Sequence, residues 1–313
     1  MKKMLSIILT LCLVVAMCVG CVSVDGEGKA KKKNEKVANK IGLSVSTQNN
    51  PFFVTLVEGA KKAAKEAGVD MKVVDAQDDA SKQVSDIEDL VATGIGVLII
   101  NPVDSDSVKD AVQSALDQGV RVIAVDRAVN DVDIDCQIAS DNVLGAKLAT
   151  EYIVEEVGEG AKVAELVGTS GASAAIDRSE GFHKVADKKL KVVASQTADF
   201  DRTKGMEVME NILQKNGKIK AVFAANDEMA LGAVEAINGA GKDIMVVGFD
   251  ATDDAIEAIK KGKMAATIAQ QPDLIGKAGV ENAVKLIKGE KIDKEIPVEV
   301  TLVTKDTLKK DKK

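Results

Sequence analysis

Short apolar runs alternate along the chain with longer segments in which apolar residues recur every three or four positions. The short runs are typical of buried β-strands, and the periodic segments are typical of amphipathic helices. The pattern predicts ten strands, over residues 41–47, 71–75, 97–101, 121–125, 136–139, 162–167, 191–196, 221–224, 245–248 and 264–269. The predicted helices between them include residues 52–67, 105–118, 142–156 and 202–214.

Regular alternation of strand and helix predicts parallel sheets with helices on both faces. Ten strands fit two doubly wound sheets of about five or six strands each better than one large sheet. The two halves also echo each other, because residues 41–47 and residues 162–167 both run through a polar loop into a helix. The sequence therefore predicts an α/β protein with two doubly wound parallel-sheet domains.

Charge limits the partners that the protein can have. The formal net charge is −7, but residues 1–40 hold eight Lys and three acidic residues, so the rest of the chain carries −12. Binding to phosphate groups depends on clustered Lys and Arg side chains. An acidic body therefore argues against a nucleic-acid partner.

The N-terminal residues have the features of an export signal. Two lysines precede an almost unbroken apolar run over residues 4–19, which is short for a membrane span. The end of this run before Cys21 resembles a bacterial lipoprotein signal, although Cys18 stands where such signals usually have Leu. We expect residues 1–20 to be the signal peptide and residues 21–40 to be a lipidated cysteine followed by a flexible tether. Ordinary signal cleavage without lipidation is the alternative.

Few residues of the body are candidates for catalysis or metal binding. Cys136 is its single cysteine, and a cysteine in such an apolar run is more typical of a small strand residue than of a nucleophile. The single histidine, His183, lies in a helix-like segment with no obvious partner, and we expect it to be a surface residue. The sequence predicts no metal site and no cofactor.

Polar and aromatic residues follow most of the predicted strands, although only seven residues of the chain are aromatic. Open parallel sheets bind ligands beyond the carboxyl ends of their strands, so these residues are the candidate site. They are Ser46, Asn50, Phe52, Phe53, Asp126, Arg127, Arg178, Phe200, Asn226, Phe249, Asp250 and Gln270.

The chemistry of this set suits a small polyhydroxylated ligand. Carboxylates accept hydrogen bonds from hydroxyls, Arg donates through a fixed fork, and the amides of Asn and Gln do both. Phe rings can cover the C–H faces of a sugar. Taken singly, Asp126 and Asp250 also suit helix N-caps or strand-end acids, and the phenylalanines also suit a hydrophobic core.

Several of these residues stand in motifs that resemble bacterial ribose-binding proteins. The motifs are residues 46–53, 101–106, 138–142, 225–230, 247–250 and 266–270, and the resemblance spans residues 41–303 in register. In that family, the positions that match the twelve candidate residues line the sugar site, and each has the family's residue type here. Ile176 stands where Arg is usual and Gln137 where His is common, and we expect neither difference to affect the ligand.

The resemblance implies a periplasmic binding protein fold of type I, whose domains are joined by a three-segment hinge and close on the ligand. The crossovers would fall near residues 140–141, 270–273 and 298–301. The N-terminal α/β domain would then comprise residues 41–140 and 273–300, and the C-terminal α/β domain residues 141–272 and 301–313.

The resemblance also implies a function in transport. The ligand would be D-ribose, and the permease subunits of an ABC importer would receive it at the outer face of the cell membrane. A chemoreceptor is a further candidate partner. Contact with the membrane is expected only through the lipid anchor.

Three other functions compete with this interpretation. A carbohydrate-acting enzyme also uses paired carboxylates, but no GxSxG, P-loop or HExxH pattern occurs, so we expect no enzyme. A DNA-binding repressor with the same sugar-binding core would begin with a helix-turn-helix, where this chain has an export signal. Another pentose, hexose or sugar-like signal molecule on the same fold is the alternative ligand.

Overall fold

The computed structural model describes residues 37–310, which contain two six-stranded sheets. The first elements are β1 (Lys40–Val45), α1 (Pro51–Ala67), β2 (Asp70–Asp75), α2 (Ala80–Ala92), β3 (Val97–Ile100), α3 (Lys109–Asp117), β4 (Arg121–Val125) and β5 (Cys136–Ser140). Next come α4 (Asn142–Val157), β6 (Lys162–Val167), α5 (Ser173–Lys189), β7 (Lys191–Thr197), α6 (Arg202–Lys215), β8 (Ala221–Ala224), α7 (Asp227–Gly239) and β9 (Met245–Val247). The last are α8 (Asp253–Lys260), β10 (Ala266–Ala269), α9 (Pro272–Ile287), β11 (Glu295–Val298), β12 (Thr301–Thr304) and α10 (Lys305–Lys310).

The two sheets have the same strand order. It is β11-β5-β4-β3-β1-β2 in the first sheet and β12-β10-β9-β8-β6-β7 in the second. In each sheet the direction of winding reverses beside the first strand, between β1 and β3 and between β6 and β8. The prediction of two doubly wound α/β domains is confirmed, and the reversal points mark where such sheets bind ligands.

Strands β1 to β10 correspond to the ten predicted strands, whereas β11 and β12 were not predicted. The last strand also departs from the expected parallel arrangement, because β12 pairs with β10 in antiparallel fashion. The chain leaves β11 at the carboxyl edge of the first sheet and enters the second sheet after only two residues. A parallel entry would need a long crossover connection, so the strand runs against its neighbour.

Each sheet is covered by helices on both faces, as its apolar strands require. In β3, Val97 and Ile99 pack in the cluster that includes α1 and α9, while Leu98 and Ile100 pack in the cluster that includes α2 and α3. The second sheet repeats this arrangement, with Val222 on the side of α6 and α7 and Phe223 on the side of α4 and α5. Two hydrophobic layers therefore hold each sheet rigidly beneath its strand ends.

The chain passes between the sheets three times. It leaves β5 for α4, which contacts β8, β10 and β12, and it leaves β10 for α9, which contacts β3, β4 and β5. The third passage joins β11 to β12. These passages form the three-segment connection expected of the fold.

The predicted signal peptide, Cys21 and most of the tether lie outside the described residues. Within residues 37–310, no helix combines the length and the apolarity needed to cross a membrane. Cys136 is buried at the start of β5, and burial raises the pKa of its thiol to about 11.

Candidate functional site

The carboxyl ends of the two sheets face each other across a cleft that contains a narrow cavity. Nine of the twelve predicted site residues line the cavity together with Ala174, namely Asn50, Phe52, Phe53, Asp126, Arg127, Arg178, Phe200, Asn226 and Asp250.

The first sheet contributes a charged pair that is adjacent in sequence. Asp126 and Arg127 directly follow β4, and both are 3% exposed. Arg127 Nε lies 3.8 Å from Asp126 Oδ2, and Arg127 Nη1 donates to the carbonyl oxygen of Pro102 at 2.9 Å. Burial raises the pKa of Asp126, although the neighbouring arginines oppose it, and burial lowers the pKa of Arg127.

Asn101, at the end of β3, supports this pair and was not among the predicted site residues. Its Nδ2 donates to Asp126 Oδ2 at 3.1 Å, and its Oδ1 accepts from the backbone N–H of Ser46 at 3.2 Å. Its place directly after an apolar strand was the available signal. Ser46 itself is fully buried and does not line the cavity, so its contact with a ligand stays a prediction.

The second sheet contributes a charged pair from two distant segments. Arg178 lies on the second turn of α5, and its Nη1 is 3.6 Å from Asp250 Oδ1 beyond β9. Arg178 also donates through Nε to Asn142 Oδ1 at 2.9 Å and through Nη1 to the carbonyl oxygen of Ala225 at 2.6 Å. Asn142 is thus a second supporting residue that the sequence interpretation missed.

Gln270 extends the second pair. It follows β10, is 7% exposed, and donates through Nε2 to Asp250 Oδ1 at 2.6 Å. Its buried Oε1 has no partner among the described residues. Burial raises the pKa of Asp250 well above its usual range, and the positive charge of Arg178 opposes this rise.

Phenylalanine rings lie against both arginines. The guanidinium of Arg127 is 5.1 Å from the ring centroid of Phe53 and 5.4 Å from that of Phe200. The guanidinium of Arg178 is 5.7 Å from Phe200 and 3.9 Å from Phe249. Phe200 therefore contacts both charged pairs, while Phe249 is fully buried and belongs to the core of the second sheet.

Backbone strain is concentrated at the cavity. Asp126, Phe200 and Asp250 have positive φ values of 63°, 60° and 123°, which L residues rarely adopt. Such strain persists only where the surrounding structure holds it, and it is common at binding sites. Gly168 leaves room for the Phe200 ring, because a Cβ at residue 168 would lie 2.1 Å from that ring.

The helix-cap alternative for the two aspartates is wrong, because Thr252 caps α8 after Asp250 and Asp141 caps α4, the next helix after Asp126. Two asparagines of the site do cap helices. Asn50 Oδ1 accepts from the N–H of Phe52 at the start of α1, and Asn226 Oδ1 accepts from the N–H of Met229 at the start of α7. Asn226 also donates to the carbonyl oxygen of Phe200 at 3.1 Å. Both asparagines therefore position backbone as well as line the cavity.

His183 lies outside the cleft, and the expectation that it lacks partners is wrong. Its Nδ1 is 2.8 Å from Asp187 Oδ1, and its Nε2 is 3.2 Å from Oε2 of the buried Glu165. Partial burial lowers the pKa of His183, but the two carboxylates outweigh this effect and raise it overall.

Residues 41–291 match the sequence model of the periplasmic binding protein domain. The chain belongs to the periplasmic binding protein family. The ribose import binding protein of Bacillus subtilis is 51% identical over 306 residues, covering 97% of this chain and 99% of that protein. The ribose import binding protein of Escherichia coli is 51% identical over 274 residues, covering 87% and 93%.

Solved structures of this family include sugar and cyclitol complexes. A Caulobacter myo-inositol binding protein bound to myo-inositol has a TM-score of 0.83 and 31% identity, covering 89% of this chain and 96% of that one. A solute binding protein from Actinobacillus succinogenes with bound D-allose has a TM-score of 0.81 and 31% identity, covering 87% and 100%. The fold of this periplasmic binding protein is thus one that holds small polyhydroxylated molecules in several relatives.

Proposed function

We propose that this protein captures D-ribose between its two domains outside the cytoplasm and delivers it to an ABC-type sugar importer. The observation that carries the proposal is the pair of buried Asp–Arg units that face one cavity from opposite sheets, with phenylalanine rings between them. The names of the ribose import relatives at about half identity over most of their length support D-ribose as the ligand.

The charged pairs suit the hydroxyls of a pentose. Each carboxylate can accept from two neighbouring hydroxyls, and each guanidinium can donate to ring or hydroxyl oxygens. Charge-assisted hydrogen bonds are worth about 1.5–3 kcal/mol each, so three or four of them support an affinity of about 1 μM or tighter. Desolvation of the charges opposes binding, and their pairing within each domain reduces that cost.

Domain closure is the proposed signal to the importer. The proposed domains are residues 41–140 with 273–300 and residues 141–272 with 301–313, and hydrogen bonds between their strand ends link them. Ser105 N–H donates to the carbonyl oxygen of Gly171 at 2.9 Å, and Ala128 N–H donates to Ser173 Oγ at 2.8 Å. These bonds join the loops of opposite sheets, so a sugar held by both sheets would favour the closed state.

Anchoring by a lipid at Cys21 is the proposed link to the membrane. It rests on the sequence pattern, since Cys21 lies outside the described residues. Cys21→Ser should release the protein from the cell surface into the medium or periplasm, measured by fractionation and immunoblotting. Retention of this variant with the membrane would contradict lipid anchoring. The importer's permease and a chemoreceptor remain proposed partners.

We propose binding without turnover. The two carboxylates that line the cavity, Asp126 and Asp250, are each paired with an arginine, and the relatives named above are binding proteins of transport systems. Incubation of the purified protein with pentoses and pentosides, followed by chromatography, should return the sugars unchanged. Any product formed at a rate above that of a buffer control would contradict the proposal.

The ligand is tested by calorimetric titration with a panel of D-ribose, D-allose, L-arabinose and myo-inositol. We expect one site per chain and the tightest binding for D-ribose. Tighter binding of another member would replace D-ribose as the ligand and keep the cleft as the site. No heat from any member would contradict the site itself.

A further inference from the structure

The turn that carries Asp250 into the cleft has an unusual backbone. Asp250 and Ala251 are consecutive and have φ values of 123° and 57°, and neither is glycine. Such a turn relaxes unless its backbone N–H groups are held from outside. Asp250 N–H donates to the carbonyl oxygen of Ile268 at 2.7 Å, which fixes the entry to the turn.

The exit of the turn is held by Asp227, the first residue of α7. Its Oδ2 accepts from the N–H of Thr252 at 2.8 Å and lies 3.2 Å from Thr252 Oγ1. Its Oδ1 accepts from Thr267 Oγ1 at 2.7 Å, and this same hydroxyl oxygen accepts from the N–H of Ala251 at 3.3 Å. One carboxyl group thus holds both residues that follow Asp250.

Asp227 stands behind the site and not in it. It is fully buried and absent from the walls of the cavity, whereas the neighbouring Asn226 lines them. Gly248 permits its approach, because a Cβ at residue 248 would lie 2.3 Å from Asp227 Oδ1. Burial raises the pKa of Asp227 to about 7, so the carboxyl is held in place at an electrostatic cost. Burying a carboxyl group that has no arginine partner costs free energy. Packing alone does not explain why this cost is tolerated at Asp227.

We propose that Asp227 is a positioning residue for sugar binding, which acts through Thr252 and Thr267 to hold the Asp250 carboxyl against Arg178. This inference rests on the proposed function, in which Asp250 contacts the sugar. In this inference Asp227 does not contact the ligand. A substitution of Asp227 can therefore change the affinity for the sugar only by displacing Asp250.

A double-mutant cycle tests this dependence, since two residues in one chain of contacts give non-additive effects. Asp227→Ala should weaken D-ribose binding about tenfold in the otherwise unchanged protein, because Asp250 loses its orientation. The same substitution should change affinity less than about twofold in an Asp250→Ala background. An equal loss in both backgrounds would overturn the proposal, because a general loss of stability acts in either.

Thr267→Val gives a second, independent variant if Asp227→Ala does not fold. It removes the hydroxyl that links Ala251 to Asp227 and leaves every charge in place. We expect it to weaken binding severalfold in the same background-dependent way. Thr150→Val is the matched control, because Thr150 is fully buried in the same domain and its hydroxyl donates only to the carbonyl oxygen of Ala146 in its own helix. Equal effects of the two Val substitutions would contradict the proposal.

A crystal structure of Asp227→Ala or Thr267→Val without sugar separates this inference from the proposed function. We expect the backbone at Asp250 and Ala251 to relax and the Asp250–Arg178 contact to lengthen. An unchanged turn would overturn the role of Asp227 whichever ligand the protein binds. If the turn relaxes in the variant but the unaltered protein binds no sugar, Asp227 still holds the turn, and the proposed ligand is wrong.

Discussion

Asp126 and Arg127 are neighbours in the chain, whereas Arg178 and Asp250 meet only because a helix and a strand end converge in the fold. Both pairs are buried and both face the cavity, so their chemistry is the same. Their supports differ. The first carboxylate has one amide, Asn101, and one strained residue, Asp126 itself, whereas the second has Gln270 and two consecutive strained residues, Asp250 and Ala251.

The two pairs therefore differ in how many elements position them. The first pair depends on a few residues at the ends of β3 and β4, which one rigid sheet fixes. The second pair depends on α5, α7, β9 and β10 together. Substitutions far from the ligand should therefore disturb the second pair more than the first.

The largest expected effect follows from removing a member of either pair. Asp126→Ala and Arg178→Ala should each weaken D-ribose binding by about 2–3 kcal/mol, because a charged hydrogen bond is lost and a partner charge is left unpaired. Calorimetry measures both. Asp117→Ala is the control, since Asp117 is exposed on α3 and accepts a hydrogen bond from Gln113 in its own helix. Unchanged affinity in either pair variant would remove that residue from the site.

The next effect concerns the dependence of stability on pH, to which Asp227 at the start of α7 should contribute. Burial raises the pKa of Asp227 from 3.8 to about 7, so the folded chain holds this proton more tightly than the unfolded chain. Its contribution to the free energy of unfolding is full below pH 3.8 and is lost as pH rises through 7. Relative to Asp227→Asn, the unaltered protein should lose on the order of 2 kcal/mol between about pH 5 and pH 8.

Urea unfolding followed by circular dichroism at the two pH values measures this difference. A parallel pH dependence of both proteins would show that Asp227 carries no raised pKa. The comparison must be made without sugar, so that ligand binding does not add its own pH dependence.

Removing the asparagines that support the two charged pairs should reduce the affinity for D-ribose less. Asn101→Ala should weaken binding by about 1–2 kcal/mol, because Asp126 and the Ser46 N–H each lose a hydrogen bond. Asn142→Ala should cost about 1 kcal/mol, since Arg178 keeps its bonds to Ala225 and Asp250. Titrations of both variants measure the order of the two effects. A larger loss for Asn142→Ala would reverse the assigned roles.

The smallest expected effects concern the rings. Phe200→Leu should weaken binding by about 1 kcal/mol and Phe53→Leu by about 0.5 kcal/mol, from lost cation–π contact and ring area. Phe200 contacts both arginines, whereas Phe53 contacts Arg127 alone, and this sets the order. Equal losses would indicate that the rings contribute area only.

Much of the fold could be predicted because its signals are local. The apolar runs that become β1 to β10 are short, regularly spaced and bounded by polar turns, so their period is readable. β11 and β12 were missed because each combines partial exposure with a length of only four residues, and β11 also contains Pro297. The direction of β12 depends on the short connection from β11, and no local sequence pattern predicts it.

The site divides in the same way. Asp126 and Arg127 are adjacent, so the sequence alone suggests their pairing. The partnership of Arg178 with Asp250 was not visible before the fold, and neither were the roles of Asn142 and Asp227, whose side chains bind protein groups. Asn101 had one signal, its place directly after an apolar strand, but its bond to Asp126 was visible only in the fold.

A crystal structure of the protein with D-ribose tests the central claim most directly. We expect one sugar in the cleft, with its hydroxyls bonded to Asp126 and Arg127 on one side and to Arg178 and Asp250 on the other. A sugar held by the residues of one sheet only, or bound outside the cleft, would contradict it.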